Sequence, residues 1–308
     1  MKTISIVTPC FNEEGNVQEL YDRIKKVMAG FDYQYEYIFI DNASTDGTVA
    51  HLRQLAEQDK RVKVIVNTRN FGHIRSPYYG LLQAHGDVVI SMASDLQDPP
   101  ERISDFIRKW EEGYKIVVGV KTQSQESGLF YFLRTMYYRV LRKLSDVELI
   151  EHFTGFGLYD QQVIEILRNL HDPYPYFRGL IAEIGFPIAR IEFVQPRRVS
   201  GITKNNFYTL YDMAMLGLTS YTKIPLRLAT MLGFLTAGIS FLTGLAYLVY
   251  KLIFWAEFSV GLAPVVIGLF FLGSVQLIFL GVIGEYIGSI YTQVIHRPLV
   301  IEKERINF

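Results

Sequence analysis

The segment SMASDLQDPP, residues 91–100, places three oxygen-bearing side chains directly after the apolar run VVI. Asp95 and Gln97 are two residues apart, so in extended backbone they point to the same side. Carboxylate and amide oxygens suit a hard cation such as Mg²⁺ or Mn²⁺, and a bound diphosphate would supply the ligands that such a sparse pair lacks. The alternative is a polar turn in which Asp98 caps the helix that follows the two prolines.

Two earlier segments also carry polar residues where a strand is expected to end. In TPCFNEEGN, Pro9 and Phe11 offer a flat apolar surface beside Glu13, on which a nucleoside could stack while its ribose bonds the carboxylate. A capped helix start is the simpler alternative there. In IDNASTDGT, Asp41 and Asn42 precede the residues needed for a cap, which favours base or ribose recognition. A G-x-G-x-x-G motif does not follow the first strand, which argues against a dinucleotide-dependent dehydrogenase.

Basic residues follow in loops, and these could hold a phosphate. Lys121 comes directly after an apolar run, and QPRRVSGITK places Arg197, Arg198 and Lys204 around a glycine. Guanidinium groups match phosphate oxygens, but a basic stretch facing anionic lipid is an equal alternative for Arg197 and Lys204. The aromatic and basic run at 130–144 predicts either an amphipathic helix on a membrane surface or a plain core helix.

Short β-rich runs alternate with helical patterns over roughly the first 220 residues. The predicted strands are 4–9, 35–41, 62–67, 87–92 and 115–120. The predicted helices are near 14–29, 47–58, 74–84 and 100–111. This alternation indicates an α/β fold with a mostly parallel sheet and helices on both faces. Ligands of such sheets bind at the carboxyl ends of the strands, where the segments above lie.

Two long apolar segments end this pattern. Residues 228–250 are uncharged, as are 258–284, and a helix of about 20 apolar residues can cross a bilayer. We therefore predict transmembrane helices at about 228–250 and 263–288 that form a hairpin, with a pair of buried core helices as the alternative. The flanking basic residues predict that both chain ends are cytoplasmic. They are Lys223, Arg227, His296, Arg297, Lys303 and Arg305.

Composition excludes several other classes. The 308 residues carry a formal net charge of zero, which gives no field for nucleic acid. Cys10 is the only cysteine, so an internal disulfide framework and zinc clusters are excluded. A mean hydropathy of +0.15 with 20% charged residues indicates separate soluble and apolar parts. The first ten residues, with Pro9, do not resemble a cleaved targeting sequence.

Several motifs in this order resemble family 2 glycosyltransferases, in particular the polyprenyl-phosphate glycosyltransferases such as bactoprenol glucosyltransferases and dolichol-phosphate mannose synthases. These motifs run over nearly the whole chain: TPCFNEE, IDNASTDGT, RNFG, SDLQDPPE, WEEGY, RRVSGITK and GEYIGSIYTQVIHRPL. The resemblance implies a GT-A fold, with a glycosyltransferase domain at 1–220, a two-helix membrane segment at 226–291 and a cytoplasmic tail at 292–308.

The resemblance also implies roles for individual residues. The nucleotide donor would be bound by Pro9, Phe11, Glu13, Asp41, Asn42 and Ser94. Asp95 and Gln97 would hold Mg²⁺ or Mn²⁺ on the donor diphosphate, which makes Asp95 a catalytic residue. Lys121 and Arg198 would act on the acceptor phosphate.

The activity implied is inverting transfer of one sugar from a nucleotide-sugar, most often a UDP-sugar in this family, to undecaprenyl or another polyprenyl phosphate. An integral protein of the inner membrane and a homo-oligomer, such as a tetramer, are further expectations. Ala93 and Gly155 stand where the family usually has acids. They leave open a catalytically inactive membrane scaffold that binds nucleotide-sugar. A phosphomonoester acceptor is already an oxyanion at neutral pH and needs no general base, so the sequence favours retained activity.

Overall fold

The computed structural model describes residues 1–123, 150–196, 211, 215–220, 222–254, 262–295 and 297–308. Within these ranges, the first part of the chain and a C-terminal segment form one eight-stranded sheet. Its strands are β1 Thr3–Cys10, β2 Gln34–Asp41, β3 Val62–Asn67, β4 Val88–Ser91, β5 Ile116–Gln123, β6 Phe153–Asp160, β7 Ile188–Val194 and β8 Glu302–Ile306. The first five correspond to the predicted strands, whose existence is confirmed.

The strand order is β7-β5-β6-β4-β1-β2-β3-β8. Pairing is parallel for β1 with β2 and β4, for β2 with β3, and for β5 with β7. Strands β6 and β8 run in the opposite direction to their neighbours. The sheet is therefore mixed but mostly parallel, and the carboxyl ends of β4, β1, β2 and β3 meet side by side at one edge.

In the described part of the chain, six helices cover the two faces of this sheet. They are α1 Val17–Met28, α2 Thr48–Gln58, α3 Gly72–Leu82, α4 Ile103–Glu111, α5 Gln161–Leu170 and α6 Phe177–Glu183. The buried side chains of α1, α2 and α4 pack on one face, and those of α3, α5 and α6 pack on the other. Burial on both faces explains why β1 to β5 read as continuous apolar runs.

The close approach of α3 to the sheet depends on one glycine. A Cβ at Gly80 would lie 2.8 Å from Cγ2 of Ile40 on β2, closer than side chains pack. A bulkier residue would push α3 away from the sheet. This would also move the first turn of α3, which lies next to the carboxyl ends of the strands where a ligand is expected.

Strand β8 lies at the sheet edge and comes from the predicted C-terminal tail. It pairs antiparallel with β3, from Val64 opposite Ile306 to Asn67 opposite Glu302. The amide of Asn307 then donates to the backbone oxygens of Ala56 (2.7 Å) and Val62 (2.8 Å). Its sequence EKERI has no apolar run because an edge strand buries little, so hydrophobic patterning could not reveal it.

The chain divides into two compact units, Met1–Leu210 with Ile295–Phe308, and Tyr211–Val294. The second unit contains α7 Ile224–Ile253 and α8 Leu262–Val294, both long and apolar enough to cross a membrane. Their apolar side chains are exposed, for example Phe241 at 70%. The described residues therefore contradict the alternative of buried core helices, because a core helix would cover these side chains.

Candidate functional site

The loop after β4 alternates between buried and half-buried side chains. Ser94, Leu96 and Asp98 are buried, whereas Asp95 and Gln97 are half-buried. The Asp95 carboxylate accepts from the backbone N–H of Gln97 at 3.2 Å. Leu96, between them, has a φ of 59°, so the backbone is not extended here, and a common direction for Asp95 and Gln97 stays a prediction.

Asp98 fixes the shape of this loop from within. Its carboxylate accepts from the backbone N–H of Ala93 at 2.9 Å, so it closes the loop. The interpretation of Asp98 as a helix cap is wrong, because Pro99 takes the N-cap position of the 3₁₀ turn Pro100–Arg102. Burial raises the pKa of Asp98 to about 6, although the Ala93 N–H and the positive charge of Lys121 oppose the rise.

The end of β1 is joined to this loop and to the end of β2. The Ser94 hydroxyl donates to the backbone oxygen of Pro9 at 2.9 Å. Glu13 is buried, its backbone N–H donates to the Thr48 hydroxyl at 2.9 Å, and its carboxylate accepts from Asn16 at 2.5 Å. Glu13 is thus held at the start of α1 by groups from two segments.

Phe11 and Asn12 complete the turn between β1 and α1. Phe11 is half-buried. Asn12 has a positive φ of 58°, its backbone N–H donates to the Ser44 hydroxyl at 2.9 Å, and its side-chain oxygen accepts from the N–H of Thr45 at 2.8 Å. The two turns that follow β1 and β2 therefore form one hydrogen-bonded unit.

Asp41 ends β2 as a buried acid. Its carboxylate accepts from the backbone N–H of Ser44 at 2.9 Å and from the Ser44 hydroxyl. Burial raises the pKa of Asp41, and the two bonds from Ser44 oppose that rise. Sequence reasoning missed Ser44, although an Asp-x-x-Ser turn after a strand signals such a side-chain bond.

Asn42 has protein partners on both ends of its amide. The nitrogen donates to the Asn70 side-chain oxygen (2.9 Å) and to the Gly72 backbone oxygen (3.1 Å). The oxygen accepts from the backbone N–H of Phe71 (2.9 Å) and from the Asn67 amide (3.2 Å). In the structure, Asn42 therefore positions the loop between β3 and α3. Asn70, in the sequence RNFG, is the residue that could have indicated this contact.

Lys121 and Gly155 lie on β5 and β6. Lys121 is half-buried, and its backbone N–H donates to the oxygen of His152 at 3.3 Å. Gly155 has a φ of +106°, and a Cβ there would meet only ring atoms of Phe177 at 3.8 Å and 4.0 Å. The space would admit an acid, but the backbone conformation strongly favours glycine. Arg198 lies outside the described residues, as do Arg197, Lys204 and the segment 130–144.

The described residues contain no group of three or more histidine, cysteine, aspartate or glutamate side chains that could hold a metal by themselves. Asp95 and Gln97 offer one carboxylate and one amide oxygen. This donor set fits a hard cation only when a second molecule, such as a diphosphate, completes its coordination.

Residues 5–184 match the profile of glycosyl transferase family 2. This chain belongs to that family. The family 2 profile covers more than half of the chain, from β1 to the end of α6, and contains the predicted site residues up to Lys121, but not Arg198. The GT-A fold that the resemblance implied is confirmed, and the protein is a glycosyltransferase.

Family 2 relatives match almost the whole chain. The uncharacterized glycosyltransferase YkcC of Bacillus subtilis is 38% identical over 96% of this chain and 92% of its own length. The bactoprenol glucosyl transferase of Shigella phage SfV is 35% identical over 97% of this chain and 98% of its own.

Solved structures give a weaker likeness. Glucosyl-3-phosphoglycerate synthase from Mycobacterium tuberculosis, in complex with Mn²⁺, UDP-glucose and phosphoglyceric acid, is 19% identical with a TM-score of 0.47. The match covers 71% of this chain and 78% of that chain.

Proposed function

We propose that this glycosyltransferase moves one sugar from a nucleotide-sugar to a polyprenyl phosphate such as undecaprenyl phosphate, with inversion at the anomeric carbon. The observation that carries the proposal is the set of oxygen-bearing side chains at adjacent strand ends, Asp95 and Gln97 after β4, Glu13 after β1 and Asp41 after β2. The relatives named bactoprenol glucosyl transferase support the acceptor class, since they match this chain over nearly its full length.

The donor would lie across these strand ends. Adjacent strands are about 4.8 Å apart, so the distance from β4 through β1 to β2 is about 10 Å, which suits a nucleoside diphosphate. The nucleoside would contact Pro9, Phe11, Glu13 and Asp41, and the diphosphate would lie beside Ser94 and Asp95. Asn42 would act indirectly, because its amide is bonded to the loop 67–72.

Asp95 and Gln97 would hold Mg²⁺ or Mn²⁺. A divalent cation at this place supplies positive charge to the departing nucleotide diphosphate. Both side chains are half-buried, and the bond from the Ala93 N–H to Asp98 closes the loop that carries them. The missing acid at Ala93 leaves this pair without a second carboxylate, so we expect the cation to bind weakly unless the donor is present.

The acceptor phosphate needs positioning rather than deprotonation. A phosphomonoester has a second pKa of about 6, so most of it is a dianion at neutral pH. The absence of an acid at Gly155 is then compatible with turnover, since no general base is required. Lys121 and Arg198 would align the acceptor oxyanion with the anomeric carbon of the donor.

A membrane location follows from the two apolar helices of the second unit. The chain leaves the first unit before α7 and re-enters its sheet as β8 after α8. Since β8 pairs with β3, the chain on both sides of the two apolar helices belongs to the first unit. The basic residues that flank these helices support a cytoplasmic location for both chain ends. The boundaries 1–220, 226–291 and 292–308, and a homo-oligomer, stay predictions.

A donor screen tests the proposal. The full-length protein in detergent is incubated with undecaprenyl phosphate, Mn²⁺ and a panel of radiolabelled UDP- and GDP-sugars, and lipid-linked product is extracted. We expect one sugar to be transferred, with a UDP-sugar favoured, and we expect EDTA or Asp95→Ala to abolish transfer. The absence of product with every donor, or equal product from wild type and Asp95→Ala, would instead favour the inactive scaffold.

A further inference from the structure

The amino end of α3 brings together three arginines from separate parts of the first unit, since Arg75 donates to the Pro298 oxygen, next to Arg297, and both Arg69 and Arg297 act electrostatically on Arg75. Arg69 lies in the loop after β3, Arg75 in the first turn of α3, and Arg297 in the chain that returns to the sheet. Burial lowers the pKa of Arg75, and the positive charges of Arg69 and Arg297 lower it further, whereas Tyr174 raises it. Three like charges therefore interact here, which is unfavourable unless an anion offsets them.

Carboxylates of the described residues do not neutralise the positive charge of this cluster. Among the described residues, no carboxylate forms an ion pair with Arg69, Arg75 or Arg297. Arg75 donates one Nη2 bond to the Pro298 oxygen at 2.7 Å, but its buried Nε has no hydrogen-bond partner in the described structure. A buried donor without a partner is uncommon and points to a group that binds there.

The start of α3 adds a second favourable feature. Gly72 begins the helix with a φ of +87°, and a Cβ there would have no atom within 4 Å, so the space beside it is open. The first turn of α3 contains no acidic residue, and the amino end of a helix of 11 residues carries partial positive charge. Arg69 is also held in place, with its guanidinium 4.0 Å from the centre of the Phe71 ring.

We propose that Arg69, Arg75 and Arg297 bind a phosphate group at the amino end of α3. Planar guanidinium groups bond phosphate oxygens in pairs, and the helix end adds backbone N–H donors. The site neighbours the end of the donor site where we place the nucleoside, because β3 pairs with β2. It is distinct from the diphosphate end, because Asp95 follows β4, three strands from β3, and this spacing is about 14 Å. It goes beyond the proposed function, which assigns no role to these arginines.

The phosphate could come from a lipid headgroup or from solution. Arg297 follows Val294, the last residue of α8, by three residues, so the chain between them spans at most about 11 Å. An anionic lipid headgroup is one source to test, since α8 is long and apolar enough to cross a membrane. Inorganic phosphate has the same recognition chemistry.

Calorimetric titration of the full-length protein in neutral detergent separates the two sources. The probes are inorganic phosphate, dihexanoyl-phosphatidylglycerol below its micelle concentration, and dihexanoyl-phosphatidylcholine as the lipid of zero net charge. We expect saturable binding of phosphate or of phosphatidylglycerol. The variants Arg75→Gln and Arg297→Gln should weaken it by about tenfold or more, because each removes a charge-assisted hydrogen bond.

Two matched controls make the result decisive. Arg108→Gln removes the same charge from an exposed side chain on α4 and should leave binding unchanged. Asp95→Ala should also leave it unchanged, because Asp95 follows β4, three strands from β3. Arg69→Gln and Arg297→Gln alter exposed side chains and remain informative if Arg75→Gln fails to fold. Binding of neither anionic probe, equal binding by the arginine variants, or loss of binding in Asp95→Ala would each overturn the proposal.

Discussion

Replacing Asn42 tests whether the loop between β3 and α3 supports the donor site. Asn42 is 6% exposed, and its four hydrogen bonds join the end of β2 to this loop. Asn42→Ala would remove all four bonds. The loop would lose its attachment next to Asp41, where we place the nucleoside.

The cost can be worked out bond by bond. Asn67 keeps a partner after the change, since its amide also donates to the Ser76 hydroxyl at 3.0 Å, and the exposed Asn70 can bond water. The Phe71 N–H and the Gly72 oxygen lose the partner that Asn42 supplies. A buried polar group without a partner costs about 1–3 kcal/mol, so with two such groups we expect Asn42→Ala to lower the free energy of unfolding by about 2–6 kcal/mol.

Asn42→Asp separates hydrogen bonding from shape. The new oxygen would face the Gly72 oxygen and the Asn70 side-chain oxygen, which repel an ionised carboxylate but can accept from a protonated one. The pKa of this carboxyl is therefore raised on folding. Its favourable contribution is present at acid pH and is lost as pH rises. Asn42→Asp should be close to wild type near pH 4 and clearly less stable at pH 7.5.

Thermal unfolding of the full-length protein, together with donor kinetics, checks this reasoning. We expect KM for the donor to rise more than kcat falls in Asn42→Ala, since the reacting groups after β4 are unchanged. Asn169→Ala, an exposed asparagine on α5, is the control and should change stability by less than about 0.5 kcal/mol. Unfolding temperatures of Asn42→Ala within a degree of the control would refute the assigned role.

Three further predictions concern other parts of the first unit. Gly155→Ala should lower the free energy of unfolding by about 1–3 kcal/mol through backbone strain alone, since only the Phe177 ring lies near the new Cβ. Thermal unfolding measures this change, and an unchanged stability would contradict the positive φ. Arg61 lowers the pKa of Asp59 to about 2, so Asp59 stabilises the fold above about pH 4 and this contribution disappears as pH falls toward 2. Asp59→Asn should therefore lower the free energy of unfolding by about 1 kcal/mol at pH 7 but by almost nothing near pH 2, as measured by denaturant unfolding. Asn307→Ala should speed hydrogen exchange in β8, because it removes the two bonds to Ala56 and Val62; equal exchange would show that β8 is held by its pairing alone.

The central strands and the positions of the site residues could be predicted from the sequence. Strands buried on both faces give continuous apolar runs, and parallel strands bring their carboxyl ends to one edge, so Asp41 and Asp95 could be placed together. Strand β6 was not predicted, because its sequence FTGFGLYD contains two glycines. Strand β8 was missed because it is a charged edge strand.

Long-range hydrogen bonds could not be predicted. Asn42 has the residue type of a ligand-binding side chain, yet its partners lie 25 to 30 residues later in the chain. Asp98 looks like a helix cap from its place before Pro99, but its partner is the N–H of Ala93, five residues earlier. In both cases the partner depends on how a loop folds back, which local residue preferences do not determine.

The central claim is that Asp95 and Gln97 hold a divalent cation together with the donor diphosphate. Electron paramagnetic resonance of Mn²⁺, titrated into the full-length protein with and without UDP, measures this directly. We expect tight Mn²⁺ binding only when UDP is present, and its loss in Asp95→Ala. Tight binding without UDP, or equal binding by wild type and Asp95→Ala, would contradict the account.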